Sequence, residues 1–349
     1  MAVSIDELFE LVKVPGISGY EKPIAEYIKK KVEELGFGSK IDPLGNLWVE
    51  VKGCGKSKYV LAAHMDELGL VVSKITENGF IKFKKVGGID DRILPSTHVT
   101  VHGEKGSVDG VITMTPPHLR TKAEEMNKVL EWHELMIDVG ASSREEVEEL
   151  GIRISTPITF KKTLSLLRNN RFATRSLDDR TGCYILLKLL EKLSKEEPEA
   201  DVTVIFTVRE EVGLHGALAA SNVLEDFDLA VAIDTTNATD YPGLPDVYSG
   251  TLKLGEGPAL RLVDRVFTAT WRAREFVEGV AREHNIRYQP LVTGGGTDAM
   301  ALSLYGGPRN SIAICIPTRY THSLVEVEQK DDIEETIKLL EAIVNTSYR

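Results

Sequence analysis

Apolar and polar positions along the chain follow two patterns, one with helical spacing and one typical of buried strands. Apolar positions 5, 8, 9 and 12 share one helical face, and Ser4 followed three residues later by Glu7 predicts a capping box at the start of that helix. A second helix is predicted over residues 21–35, where Gly36 ends it. The chain is therefore expected to begin with two helices, followed by short strands over residues 40–42 and 46–51.

Four apolar runs farther along the chain have the composition of strands buried on both faces of a parallel sheet. They occupy residues 58–63, 202–208, 228–233 and 311–316. Helical spacing predicts helices over residues 181–193, 213–221, 271–284 and 330–346. Residues 235–258 are rich in proline and glycine and predict a long loop. Strands that alternate with helices in this way indicate an α/β domain with a largely parallel sheet.

Residues 70–162 have a different texture, because short alternating strands are separated there by glycine-containing turns. One helix is predicted within this stretch, over residues 143–150. The stretch predicts a small β-rich barrel or sandwich, and α/β segments flank it on both sides. We therefore expect a discontinuous α/β domain over residues 1–69 and 163–349, with residues 70–162 as an inserted domain.

Composition and charge narrow the classes of partner. The 349 residues include 53 acidic and 42 basic side chains, and the formal net charge of -11 disfavours binding to nucleic acid or to anionic membranes. No apolar run approaches the ~18 residues of a membrane-spanning helix, and the N-terminal segment lacks the apolar region of a secretion signal. The three cysteines are widely spaced, which indicates neither a disulfide framework nor a thiolate zinc site. These features predict a cytoplasmic location.

Potential metal ligands lie at the ends of the predicted strands and at one loop-to-helix junction: His64, Asp178, Glu211, Asp234 and His322. Catalytic groups of open α/β sheets lie just beyond the carboxyl ends of the strands. Each residue alone has a simpler explanation, because paired glutamates are usually surface charge and acids at a helix N-terminus are favoured by its dipole. Together, two histidines and three carboxylates without a thiolate predict a site for zinc, cobalt or manganese.

Two metal ions would fit these residues if Asp178 bridges them. Each ion would then have three protein ligands and an open position, and two ions ~3.5–4 Å apart could share an activated water. Glu210 is adjacent to a ligand but is not needed as one. It is therefore the candidate that takes the proton from that water.

Six short motifs resemble those of the tetrahedral (TET) metallo-aminopeptidases, which form peptidase family 42 of the co-catalytic zinc exopeptidase clan. The resemblance covers essentially the whole chain, including an inserted domain in the place expected for that family. In chain order the motifs are His64-x-Asp66-Glu67, Asp178-Asp179-Arg180, Glu210-Glu211-Val212-Gly213, Asp234, Gly294-Gly295-Gly296-Thr297-Asp298-Ala299 and Tyr320-x-His322-Ser323.

This resemblance implies a zinc-exopeptidase-like α/β/α catalytic domain that removes N-terminal residues from short peptides. It implies that His64, Asp178 and Asp234 hold one metal, and that Asp178, Glu211 and His322 hold the other. Zinc is the expected metal, with cobalt or manganese as alternatives. The insert would be a PDZ-like dimerisation domain, through which dimers assemble into hollow tetrahedral dodecamers.

Roles for the residues beside the ligands also follow from the resemblance. Asp66 would orient His64, and Glu210 would act as general base and then as general acid to the leaving amine. Family members commonly have a cis peptide bond after the bridging aspartate, which here joins Asp178 to Asp179. The motif residues thus divide into ligands, an orienting acid and a proton carrier.

Substrate-binding residues are expected close to the same glycine-rich stretch. Consecutive glycines permit close approach of the backbone to a substrate, so Gly295, Gly296 and the neighbouring Asp298 are candidates. Many family members have an arginine where this chain has His215, which changes the shape and charge near the substrate pocket. The loop around His118 in the insert either reaches the active site of a neighbouring subunit or forms a surface turn.

Two rival functions fit parts of the sequence. Some relatives of the family have been labelled endoglucanases, but a glycosidase uses two carboxylates that flank the sugar bond and no metal pair. A non-catalytic oligomeric scaffold would be expected to have lost part of the ligand set, whereas all five predicted ligands and Glu210 are present. A metal-dependent aminopeptidase is the interpretation that uses all of these residues.

Overall fold

The structure is a computed structural model that describes residues 3–119, 128–248 and 250–348. It divides the chain into two compact units. The larger unit comprises Met1–Asp66, Thr163–Thr321 and Val325–Arg349, and the smaller comprises Glu67–Lys162 and His322–Leu324. The smaller unit thus begins at Glu67 rather than at the predicted position 70, and it also takes in the segment that contains His322.

Helices and strands are numbered here in chain order over the described residues. The helices are α1 (Ile5–Lys13), α2 (Lys22–Glu34), α3 (Arg144–Glu149), α4 (Leu177–Leu193), α5 (His215–Ser221), α6 (Trp271–Glu283), α7 (Asp298–Leu304) and α8 (Lys330–Val344). The strands are β1 (Ser39–Ile41), β2 (Leu47–Val51), β3 (Lys58–His64), β4 (Gly69–Ile75), β5 (Ile81–Val86), β6 (His98–Gly103), β7 (Gly106–Ile112), β8 (Ile137–Asp138), β9 (Pro157–Phe160), β10 (Ser165–Leu166), β11 (Arg171–Thr174), β12 (Asp201–Thr207), β13 (Leu229–Asn237), β14 (Ala259–Val263), β15 (Gln289–Val292), β16 (Ser311–Thr318) and β17 (Glu326–Gln329).

An eight-stranded mixed sheet forms the centre of the larger unit, with the strand order β1-β2-β12-β3-β13-β16-β14-β15. The four predicted apolar runs are β3, β12, β13 and β16, and they are adjacent and mutually parallel. Their side chains are buried almost throughout, because helices on either face pack against them. The predicted α/β fold with a largely parallel sheet is therefore confirmed.

Strand β13 is longer than the sequence pattern predicts. The prediction ends this strand before Asp234, but pairing with β16 continues to Asn237. Thr235 and Thr236 extend the ladder as buried residues, because their β-branched side chains suit a strand and their partners on β16 are themselves buried. Asp234 therefore lies within β13 rather than at its exit, and the predicted long loop begins later than expected.

Helix α1 begins at its predicted position, but the expected capping box is only half formed. The Ser4 hydroxyl accepts a hydrogen bond from the Glu7 amide at 3.3 Å, as an N-cap residue should. The Ser4 amide donates to the Tyr184 hydroxyl at 2.9 Å instead of to the side chain of Glu7. A tertiary contact with α4 thus replaces the second, local half of the box.

Several elements of the larger unit have no counterpart in the sequence prediction. The glycine-rich stretch predicts only a loop, but α7 follows it directly, with Thr297 as an N-cap whose hydroxyl accepts from the Ala299 amide. Strand β14 follows the predicted loop and pairs with both β15 and β16. Strands β10, β11 and β17 form a separate three-stranded sheet.

The smaller unit contains a closed barrel with the order β4-β5-β8-β7-β6-β9, which confirms the predicted β-rich domain. Alternating apolar side chains of its strands fill the interior, as the sequence pattern predicts for half-buried strands. Helix α3 also belongs to this unit and contributes the buried Val147. A buried ion pair joins the first and last residues of the insert, with Glu67 and Lys162 2.7 Å apart.

Across the residues that the structure describes, no helix is long and apolar enough to cross a membrane.

Candidate metal centre

His64 is the last residue of β3, and acidic side chains surround its ring within the larger unit. Its Nε2 atom lies 3.2 Å from Asp178 Oδ1, 3.8 Å from Asp234 Oδ1 and 4.0 Å from Glu210 Oε2. The imidazole is 2% exposed, and Asp178, Glu210 and Asp234 are each mostly buried. One nitrogen therefore faces three carboxylates that arrive from different parts of the chain.

The topology of the sheet explains this convergence. Strand β3 lies between β12 and β13, and His64 is directly opposite Thr207, the last residue of β12. The loop that follows β12 carries Glu210, and β13 carries Asp234 on the other side of β3. Neighbouring parallel strands thus bring together residues that are widely separated in sequence.

Two groups of side chains have the number and type of atoms that hold a metal ion. The first is His64, Asp178 and Glu211, and the second is His64, Asp179 and Asp234. Within each group, the candidate ligand atoms all lie within 4.8 Å of one another. Four of the five predicted ligands therefore converge, and Asp179 joins them although the sequence prediction does not use it as a ligand.

Burial and mutual repulsion both act on the acidic groups of this cluster. Burial, together with the nearby charges of Asp234 and Glu211, raises the pKa of Glu210 well above its usual value. Burial opposes the protonation of His64, but hydrogen bonding to Asp178, Asp234 and Asp66 nevertheless raises the pKa of the imidazole well above its usual value. Like charges packed in a buried site are stabilised by a cation, so the donor set fits a bound divalent metal.

Asp66 connects His64 to the loop after β12. The Nδ1 atom of His64 is 3.2 Å from the backbone carbonyl of Asp66 and 3.5 Å from its Oδ1 atom. The Asp66 carboxylate accepts hydrogen bonds from the amides of Glu210, at 3.0 Å, and Glu211, at 3.2 Å. It also accepts from the hydroxyl of Ser18 at 2.7 Å. Asp66 is fully buried, and three donors hold its carboxylate.

Two further polar residues fix the same loop, and the sequence analysis did not identify either. Glu21 accepts a hydrogen bond from the Arg209 amide at 3.1 Å. Asn46 accepts from the Val208 amide at 3.1 Å and donates to the Gly216 carbonyl at 3.0 Å. Glu21 begins a predicted helix and Asn46 begins a predicted strand, so the sequence offers no signal that they reach this loop.

Unusual backbone conformations occur at the predicted ligands and beside them. The Asp178–Asp179 peptide bond is cis, as the resemblance implied. Ser176, Arg209 and Leu214 have φ values of 60°, 56° and 58°, in the left-handed region that residues other than glycine rarely adopt. Such conformations persist where surrounding contacts impose them, and they are enriched at functional sites.

His322 lies in the segment that clusters with the smaller unit. Its Nδ1 atom is 3.1 Å from the carbonyl of Gly88, which makes Nδ1 the protonated nitrogen and Nε2 the candidate ligand atom. Its φ of 62° is again in the left-handed region. Neither of the two ligand groups found among the described residues includes His322, so its role as a ligand stays a prediction.

The predicted substrate-binding residues differ in exposure. His215 is exposed at the first position of α5, and its Nε2 atom lies over Gly213, where an added Cβ atom would be 3.2 Å away. Gly295 is exposed and has a φ of 83°, whereas Gly296 is half-buried. Asp298 is buried and accepts a hydrogen bond from the Thr207 hydroxyl at 2.5 Å, and burial raises its pKa to about 7.

Comparison with known proteins agrees with the fold and with the family resemblance. Residues 45–339 match the family model described as M42 glutamyl aminopeptidase. A lysyl aminopeptidase of Pyrococcus furiosus is 34% identical, with 96% of this chain and 95% of that protein covered.

Solved structures of TET and related aminopeptidases are also similar. The TET1 peptidase of Pyrococcus horikoshii, described as assembling into a tetrahedron or a large octahedral shell, has a TM-score of 0.89 and 40% identity over 97% of this chain and 98% of that one. An aminopeptidase of Desulfurococcus kamchatkensis has a TM-score of 0.92 and 36% identity, covering 99% and 95% of the two chains. The chain belongs to the M42 aminopeptidase family, and it is therefore a peptidase of a metal-dependent class.

Proposed function

We propose that this chain is a dinuclear metallo-aminopeptidase that hydrolyses the first peptide bond of short peptides. The observation that carries the proposal is the convergence of Asp178, Glu210 and Asp234 on Nε2 of the buried His64. Buried carboxylates in such number around one imidazole fit a cation site better than a structural ion-pair network, because the acids outnumber the basic group.

The proposed ligands are those of the sequence prediction. His64, Asp178 and Asp234 would hold one ion, and Asp178, Glu211 and His322 would hold the other. Support for the first set comes from the distances around His64, and support for Glu211 comes from its grouping with His64 and Asp178. Zinc is the proposed metal, with cobalt and manganese as alternatives, since the donors are imidazoles and carboxylates without a thiolate.

Glu210 is the proposed proton carrier. When bound, the metal pair would lower the pKa of a water and polarise the peptide carbonyl. Glu210 would take a proton from that water and later donate it to the leaving amine. Burial raises the pKa of Glu210, and a carboxyl group with a raised pKa accepts a proton more readily.

Substrate contacts are proposed for His215, Gly295, Gly296 and Asp298. His215 and Gly295 are exposed, which suits direct contact with a peptide. Asp298 is buried and accepts a hydrogen bond from Thr207, the last residue of β12. It would therefore act on the substrate indirectly, by positioning Thr207. The lysyl and glutamyl names belong to the relatives and to the family model. The N-terminal substrate residue that this peptidase prefers would be identified by a panel of substrates.

Assembly and location complete the proposal. We propose a homo-oligomer built from dimers into a tetrahedral dodecamer, with the inserted domain as the dimerisation element. The similarity to a TET peptidase that is described as forming a tetrahedron supports this assembly. The negative net charge supports a protein that binds neither nucleic acid nor anionic membranes, and a cytoplasmic location stays a prediction.

A panel of aminoacyl-anilides and short peptides tests the proposal. The protein should be inactive after a chelator has removed its metal. Added zinc, cobalt or manganese should restore release of the N-terminal residue of the substrate. Lysyl, glutamyl and leucyl substrates within the panel would identify the preferred side chain. Activity that survives complete chelation, or cleavage of a β-glucan by the chelated protein, would favour the glycosidase alternative instead.

A further inference from the structure

Helix α4 begins in an unusual way. Ser176 precedes it with a φ of 60° and a side chain that does not cap the helix, and Asp178 and Asp179 have non-helical backbone angles before the regular helix continues. Buried backbone amides outside regular secondary structure need an acceptor from elsewhere. Here those amides belong to Leu177 and Asp178, and Asp178 is the proposed bridging ligand.

Glu326, the first residue of β17, supplies that acceptor. Its Oε2 atom accepts a hydrogen bond from the Leu177 amide at 2.7 Å and from the Asp178 amide at 3.3 Å. Glu326 is only 2% exposed. A single carboxylate oxygen from a distant part of the chain thus satisfies two backbone amides at the start of this irregular segment.

Pairing between strands explains why Glu326 reaches this point. Strand β17 runs antiparallel to β11, and Glu326 is directly opposite Thr174, the last residue of β11. The chain leaves β11 at Thr174 and turns through Ser176 into α4. The register of two short strands therefore fixes the distance between the Glu326 carboxylate and the start of α4.

We propose that Glu326 is a positioning residue that sets the backbone of Asp178, so that metal binding depends on it. The proposal rests on the proposed role of Asp178 as a metal ligand. Glu326 would not touch the metal or the substrate. It would act through the amides of Leu177 and Asp178, which hold the Asp178 side chain at its 3.2 Å distance from His64.

Glu328 offers a matched control on the same strand. It lies two residues farther along β17 and is fully buried. It accepts hydrogen bonds from the hydroxyls of Thr181, at 2.8 Å, and Thr318, at 2.9 Å, and these bonds involve no backbone amide of a proposed ligand. Loss of either glutamate thus removes a buried carboxyl group and its hydrogen bonds, but of the two only Glu326 accepts from the Asp178 amide.

The test is a calorimetric titration with zinc of the full-length protein from which a chelator has removed the bound metal. Glu326→Met fills a similar volume without an acceptor, and Glu328→Met does the same at the control position. We expect Glu326→Met to lower zinc affinity about 10- to 100-fold, as loss of a residue that orients a ligand typically does. Glu328→Met should bind zinc as the unmodified protein does. Glu326→Gln should recover most of the lost affinity, because its amide oxygen can still accept from both backbone amides.

Equal zinc affinity in Glu326→Met and the unmodified protein would overturn the proposal, and so would equal losses in Glu326→Met and Glu328→Met. If Glu326→Met does not fold, Glu326→Asp replaces it, because aspartate retains the charge but draws the acceptor back by one methylene. An unmodified protein that binds no zinc and cleaves no peptide would instead refute the proposed function. Normal peptidase activity together with unaffected Glu326 variants would refute only the positioning role.

Discussion

The Oδ1 atom of Asp66 accepts a hydrogen bond from the backbone amide of Glu210 at 3.0 Å. The same carboxylate accepts from the amide of Glu211 at 3.2 Å, and Asp66 is two residues after His64 in the chain. One buried side chain therefore links the exit of β3 to the loop that carries the proposed base. The relative position of His64 and Glu210 depends on this link.

Replacement of Asp66 by asparagine tests the link. Asp66→Asn keeps the size of the side chain but turns an NH₂ group toward at least one donor among Ser18, Glu210 and Glu211. We expect kcat/KM on an aminoacyl-anilide to fall about 10- to 100-fold, with weaker zinc binding. Ser18→Ala is the control, because it removes one donor without opposing another. Unchanged kcat/KM in Asp66→Asn would contradict the role given to Asp66.

The buried acid Glu328 predicts a specific pH dependence of stability. Burial raises the pKa of Glu328 to about 8, whereas the pKa of a glutamate in the unfolded chain is about 4.3. Between these values the folded protein keeps the proton that the unfolded chain releases. The stabilising contribution of this group is therefore complete below the unfolded pKa and is lost as the pH rises toward about 8.

Glu328→Gln carries no such proton, so it isolates the effect. Relative to the unmodified protein, its free energy of unfolding should become larger, so the variant becomes relatively more stable, as the pH rises from about 5 to about 8. Urea unfolding of the two chelated proteins at several pH values measures this difference. A difference that does not vary with pH would show that Glu328 titrates normally in the folded protein.

Arg261 supports the glycine-rich turn that is proposed to contact the substrate. Its Nη2 atom donates to the carbonyl of Gly294 at 2.6 Å, and its Nε atom lies 3.0 Å from Asp264. Arg261→Met should release the turn and raise KM about tenfold, the effect of about 1.4 kcal/mol of lost binding, with a smaller change in kcat.

Arg287→Met is the matched control for Arg261→Met. Arg287 also donates to a glycine carbonyl, that of Gly255, at 2.7 Å, but it lies on an exposed part of the chain outside the glycine-rich turn. Its KM should remain that of the unmodified protein. Equal KM values for the two variants would contradict the proposal that the glycine-rich turn contacts the substrate.

The sequence predicts the central sheet well because buried parallel strands leave a strong local signal. The runs that became β3, β12, β13 and β16 contain little except apolar and β-branched residues. Strand ends are less visible. Asp234 was expected at an exit, but β13 continues past it because Thr235 and Thr236 pair with β16, a contact that local sequence does not reveal.

The sequence predicts those parts of the site that depend on residue type alone. Histidine and carboxylates after apolar strands predict candidate ligands, and the family resemblance implies their division between two proposed metal ions. The supporting residues Glu21, Asn46 and Glu326 were not predictable, because each acts on a backbone amide far away in the sequence. Their partners depend on strand register and loop path, which only the folded chain defines.

Glu210→Gln tests the central claim most directly. The substitution keeps the size of the side chain and leaves the proposed ligands in place, but the amide cannot take a proton from water. Zinc affinity should stay near that of the unmodified protein, while kcat on the preferred aminoacyl-anilide should fall about 10²- to 10⁴-fold. Glu225→Gln, at an exposed acid, should have normal kcat. A zinc-loaded Glu210→Gln protein with undiminished kcat would contradict the account.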